Sequence, residues 1–152
     1  MRSVRVPYFR QEWENSCGIA CVRMILAYFG RKISERELRD AIKLREDDLG
    51  TTPIQLEKLC KKLNHRTLLK DDASVDELKN FLKNRIPVIV LIDPGVLEDK
   101  PWIYAAHFTV VTKISKDHIY LNDPDKGRLT LDLKIFNRCW GYCDRVLLVI
   151  LK

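Results

Sequence analysis

The sequence predicts an α+β fold, and three observations lead there. Helix-start patterns and helically spaced apolar residues fill the first half, short apolar and β-branched runs fill the chain from Pro87 onward, and the two grammars do not alternate. At 152 residues the chain fits one domain, 1–152, which can bury roughly 70% of the surface its unfolded form exposes. The sequence holds no internal repeat, low-complexity segment or Gly/Ser linker that would divide it.

The elements follow in chain order. Ile19, Val22, Met24, Ile25 and Phe29 recur at helical spacing after Cys17, and Gly30 stands where a helix stops. Ser34 with Glu37 announces a second helix, Thr52-Pro53 with Gln55 a third, and Ser74 with Glu77 a fourth, because such pairs satisfy orphan amides in a first helical turn. From Pro87 the runs 88–92, 108–114, 118–121, 128–131 and 146–151 read as strands. Lys116-Asp117 reads as a hairpin turn, Asp123 to Gly127 as a second connection, and 132–139 as a short helix between strands.

Bulk composition excludes several classes. A hydrophobic fraction of 46% with 32% charged residues describes a globular chain, not a disordered one. The formal charge of +6 comes from 27 Lys and Arg spread along the chain against 21 acidic residues, so it describes a solvated surface and no nucleic acid partner is expected. Met1 to Arg5 leads into Pro7 and charged residues with no apolar core behind it, and the longest apolar runs are strand-sized. The expectation is a soluble, cytoplasmic protein with no membrane segment. Five cysteines, an odd number, are then expected as thiols, at least one of which could be reactive.

One cysteine is placed for chemistry. Cys17 stands at the mouth of the first helix, where the positive end of the helix dipole and free amides stabilise a thiolate. Gly18 removes the side chain beside the sulfur, so a substrate backbone can approach, and the Cys17 amide can point at a developing oxyanion. Gln11, six residues upstream, can supply a second oxyanion donor. A nucleophile needs a base, and His107, heading an apolar strand, is the best in the chain, since His65 and His118 follow charged segments and both read as exposed. Asp123 closes the next strand before Pro124 and can orient the imidazole. Counted from a turn centred on Lys116, His107 lies nine residues back and Asp123 seven forward, an offset of two. Each residue also has an ordinary use: a small buried cysteine, a structural strand histidine, an aspartate forming a turn.

The pattern Gln-x5-Cys-Gly-x-Ala, with the helix that follows it to Gly30, resembles the peptidase domains that remove double-glycine leaders from bacteriocins during export. Gly50-Thr51-Thr52-Pro53, Pro87-Val88-Ile89-Val90, His107 to Val111 and Asn122 to Gly127 resemble the same family's landmarks in the same order, over nearly the whole chain. The resemblance implies a papain-like fold, its N-terminal helical half packed on a C-terminal antiparallel sheet. It also implies a cysteine peptidase in which Cys17 is nucleophile, His107 base, Asp123 its orienter and Gln11 the oxyanion donor. Leader peptides cut after small residues are the implied substrate class, and a membrane exporter the implied associate. Two departures stand out: Ser16 occupies a position that is often Asp in the family, and no Walker-type glycine loop is present. A stand-alone peptidase domain is therefore the expectation.

The same groove could instead hold an extended peptide without cutting it, or pass an acyl group to an amine. Trp102 and Tyr104, in the loop before His107, are candidates to line the groove or simply to pack. Cys139 and Cys143 have tolerable spacing for zinc, but no second close pair completes a four-ligand set, so neither metal nor cofactor is expected. Cys21 and Cys60 fall on apolar helix faces and are expected in the core.

Overall fold

A computed structural model describes residues 4–98 and 106–152. In chain order the elements are α1 (Cys17–Tyr28), α2 (Glu35–Ala41), α3 (Pro53–Lys62), β1 (Thr67–Lys70), α4 (Val75–Lys83), β2 (Val88–Ile92), a 3-10 turn (Pro94–Glu98), β3 (His107–Ile114), β4 (His118–Asp123), β5 (Gly127–Asp132), α5 (Leu133–Gly141) and β6 (Leu147–Ile150). The strands form one sheet in the order β1-β6-β2-β3-β4-β5, and every pairing is antiparallel. The α+β expectation holds, with helices gathered in the N-terminal half and most of the sheet in the C-terminal half.

Local chemistry explains the helix boundaries. The Ser34, Thr52 and Ser74 side chains accept from Glu37, Gln55 and Glu77 amides, and each partner side chain returns a bond to the cap residue. Asp132 caps α5 by accepting from Lys134 and Ile135. At the far end of α1, Gly30 takes a φ of +86°, and the Arg31 amide closes back on Leu26, which ends the helix where a glycine predicts it.

The core lies between α1 and the sheet, with Ile19, Val22, Met24, Ile25 and Leu26 of α1 buried. Burying each such side chain is worth about 1.5–3 kcal/mol. Central strands β2 and β6 are buried at every residue, as their uninterrupted apolar runs predict, whereas β5 alternates half-buried and exposed residues as an edge strand does. Two elements depart from the sequence reading. β1 interrupts the helical half, and the 3-10 turn follows Asp93 in what reads as plain loop. β1 exists because Thr67 to Lys70 pair with Ile150 to Leu147, a partner far along the chain that local spacing does not reveal. Among the described residues no helix is long and apolar enough to cross a membrane.

Candidate active site

Cys17 is the first residue of α1 and is only partly buried. Ser16 precedes it without capping the helix by its side chain; its hydroxyl instead accepts from the Trp13 amide at 3.0 Å and donates to the Trp13 carbonyl at 2.9 Å. The first-turn amides around the sulfur are thereby left without a side-chain cap, at the positive end of the helix.

His107 opens β3 opposite Ile92 of β2, and Asp123 ends β4. Their side chains meet: His107 Nε2 lies 2.7 Å from Asp123 Oδ1, with side-chain exposures of 16% and 3%. The register explains the contact. Val110 faces Asn122, so one step further sets Thr109 opposite Asp123, and His107 lies two residues from Thr109 on the same sheet face. The offset of two counted from the sequence is thus the diagonal that brings the side chains together. The Asp123 carboxylate also accepts from the Asp125 and Lys126 amides at 2.8 and 3.1 Å, which fixes its direction.

The N-terminal segment straps this corner. Asn122 Nδ2 donates to the Val6 carbonyl, the Tyr8 hydroxyl donates to the Asp123 carbonyl at 2.6 Å, and the Gln11 amide donates to the Pro124 carbonyl at 2.9 Å. Tyr8 has no chemical signature in the sequence, because its role follows from where the strap runs.

The electrostatics are cooperative. Burial pulls the His107 imidazole down, but its interactions with Asp123 and with Cys17 outweigh it, holding the pKa up to about 9. Burial alone would raise the Asp123 carboxyl; the bond to His107, its charge and the two loop amides overcome that and hold it below the usual range. Asp123 occupies Nε2, so Nδ1 is the ring nitrogen left for the sulfur. Cys21, one turn along from Cys17, is fully buried, and burial, with the nearby Cys17 and Asp123, pushes its thiol well up.

Cys17 and His107 share a cleft of about 380 Å³ that Asn15, Thr51, Leu91 and Phe108 also line. Gly18 is buried, and a Cβ there would meet Thr51 Oγ1 at 2.5 Å, Leu56 at 2.9 Å and Phe108 at 3.0 Å. The room it leaves is taken by the fold, so its small size serves helix-to-strand packing. The Gln11 Nε2 donates to the Trp13 and Glu14 carbonyls at 2.8 and 3.1 Å, within the loop that delivers Cys17. Trp102 and Tyr104 lie outside the described residues. Among the described residues, no group of three or more His, Cys, Asp or Glu side chains could hold a metal ion. Cys139 and Cys143 are buried, beside the buried indole of Trp140.

Residues 5–150 match the peptidase C39 family. The chain is 31% identical over 133 residues to the lactococcin-G-processing and transport ATP-binding protein LagD of Lactococcus lactis subsp. lactis, a match covering 86% of this chain and 17% of that protein. It is 30% identical over 118 residues to the pediocin PA-1 transport/processing ATP-binding protein PedD of Pediococcus acidilactici, covering 78% of this chain and 15% of that protein. The chain thus spans less than a fifth of the length of these curated relatives. Among solved structures, a C39-like peptidase from Bacillus anthracis superposes with a TM-score of 0.77 at 17% identity, covering 100% of this chain and 98% of that one. A double glycine motif protease from an AMS/PCAT transporter, solved with its leader peptide, gives a TM-score of 0.73 at 20% identity, covering 97% of this chain and 92% of that one. At these identities the likeness shows the fold.

Proposed function

The chain belongs to the peptidase C39 family of cysteine peptidases, and from that premise we propose that it cleaves peptide bonds through Cys17, His107 and Asp123. The supporting observation is the 2.7 Å bond from His107 to Asp123, with the imidazole held near 9 by its two neighbours. An imidazole in that state carries a proton at neutral pH, and the sulfur beside it attacks as a thiolate.

The thiolate attacks the scissile carbonyl carbon, and the carbonyl electrons move onto oxygen. The uncapped first-turn amides of α1 receive that oxyanion, with Gln11 as second donor once its Nε2 exchanges one of its loop carbonyls. His107 then gives its proton to the departing amine, and the acyl group stays on Cys17. Water, deprotonated by His107, releases it and restores the starting state. Asp123 keeps Nε2 engaged throughout, so Nδ1 stays aimed at the sulfur.

The proposed substrates are peptides cut after small residues, as in leader removal by the processing proteins to which the chain is similar. Thr51 and Phe108 closing the wall beside Gly18 favour small side chains near the sulfur. A cytoplasmic location and association with an exporter belong to the same proposal. The test is incubation of wild type and Cys17→Ala with leader-like peptides, read by mass spectrometry with and without an added amine. Cut peptides from wild type alone, unmodified by the amine, are expected. Equal cleavage by Cys17→Ala refutes the reading, and amine-tagged products identify acyl transfer instead.

A further inference from the structure

Glu35, at the start of α2, is fully buried, although carboxylates are rarely found inside without a counter-ion. Its Oε2 accepts from the Glu12 amide at 2.9 Å, and Oε1 is buried with no hydrogen-bond partner among the described residues. Glu12 lies in the loop that begins at Gln11 and ends at Cys17. Arg39, one turn along α2, donates to Asn15 Oδ1 at 2.9 Å, and Asn15 Nδ2 in turn donates to the Arg45 and Asp48 carbonyls at 2.8 and 2.9 Å. Two neighbouring polar side chains of α2 therefore hold the nucleophile loop from inside.

An unpartnered buried oxygen lowers stability, so an apolar residue would serve the fold better at this position. What the carboxyl group supplies is a fixed anchor. Ser16 makes no side-chain cap on α1, so the placement of Cys17 depends on what holds the loop before it, at Glu12 among other points. Resting on the triad reading above, we propose that Glu35 is a positioning residue, which sets Cys17 against His107 by pinning the loop at Glu12.

Burial raises the Glu35 carboxyl, and the charge of Glu12 adds to that against Ser16, the Glu12 amide and Arg39. The uncharged Gln has the same shape and can accept from the Glu12 amide. Glu35→Gln should therefore keep kcat within about twofold, whereas Glu35→Ala should lower kcat about tenfold or more with KM little changed. Glu35→Ala should also slow iodoacetamide modification of Cys17 at neutral pH. Glu35→Asp, which keeps the acid but is too short to hold the Glu12 amide in the same place, should fall between them and covers the case that the alanine variant does not fold.

The measurements are kcat, KM and the Cys17 alkylation rate, each taken well below the melting temperature of the variant. A purely structural role predicts a lower Tm with kcat and alkylation unchanged, and that outcome in Glu35→Ala or Glu35→Asp overturns the proposal. Gln losing as much kcat as Ala also overturns it. Failure of the triad reading would look different, because wild type would then be no more active than Cys17→Ala.

Discussion

At the starts of α2, α3 and α4, a Ser or Thr and an acid or amide three residues on exchange a reciprocal pair of bonds, and Asp132 caps α5. At the start of α1 the Ser16 hydroxyl turns back to Trp13 and makes no cap on the helix. The four capped ends are finished for stability, each cap worth about 0.5–2 kcal/mol. The open end holds the sulfur, and in the proposed mechanism the Cys17 amide there receives an anion formed during reaction. The same contrast recurs in the acids: Glu37 and Glu77 close exposed caps, while Asp123 and Glu35 are buried, one against His107 and the other against the Glu12 amide.

Substitutions at the two kinds of helix end should therefore fail in different ways. Beyond the loss of turnover expected for Cys17→Ala, Asp123→Asn should lower kcat, since the amide oxygen can still accept from Nε2 but the negative charge that holds the imidazolium proton is gone. Steady-state kinetics on a cleavable peptide checks this. The His107–Asp123 pair also links stability to pH. The raised His107 value contributes stability fully below its ordinary 6.5 and loses it as pH rises through about 9. The lowered Asp123 value contributes above its ordinary 3.8 and loses it as pH falls through the depressed value of the folded state. Asp123→Asn should flatten both flanks of a Tm-against-pH curve.

Gln11→Ala should cost about 2.7–4 kcal/mol of transition-state stabilisation if its amide reaches the oxyanion. A fall in kcat with KM little changed sharpens the comparison by placing a second donor at the open end; unchanged kcat confines Gln11 to the loop bonds it makes with Trp13 and Glu14. Smallest of all, Ser34→Ala, Thr52→Ala and Ser74→Ala should each lose about 1 kcal/mol in denaturant unfolding and leave kcat unchanged. A cap variant that lowered kcat as much as Gln11→Ala would break the distinction between the two kinds of end.

Much of this was legible in the sequence because short-range chemistry sets it. The cap pairs, Gly30 and the apolar run of β2 each declare an element within a few residues. His107 and Asp123 were legible as neighbours because they flank one hairpin, but their register was not, since an irregularity between Val111 and Lys113 shifts it by one residue. β1 was not, since its partner β6 lies far along the chain, and neither was Tyr8, whose strap depends on the packed fold. Gly18 misled in one respect: glycine after a nucleophile reads as an opening to substrate, but Thr51, Leu56 and Phe108 fill that side. Glu35 carried no local signal, because an acid in the first turn of a helix is ordinary and only burial sets it apart.

The central claim is that Cys17 and His107 share a proton that rests on the imidazole while Asp123 holds it there. The most direct measurement is the rate of iodoacetamide modification at Cys17 against pH, read by peptide mapping in wild type and His107→Ala. The account predicts fast, selective modification of wild-type Cys17 below pH 7, with buried Cys21 and Cys60 untouched, and a slow rate in His107→Ala that climbs with pH as for an ordinary thiol. Identical profiles in the two proteins, both climbing through the alkaline range, would contradict it.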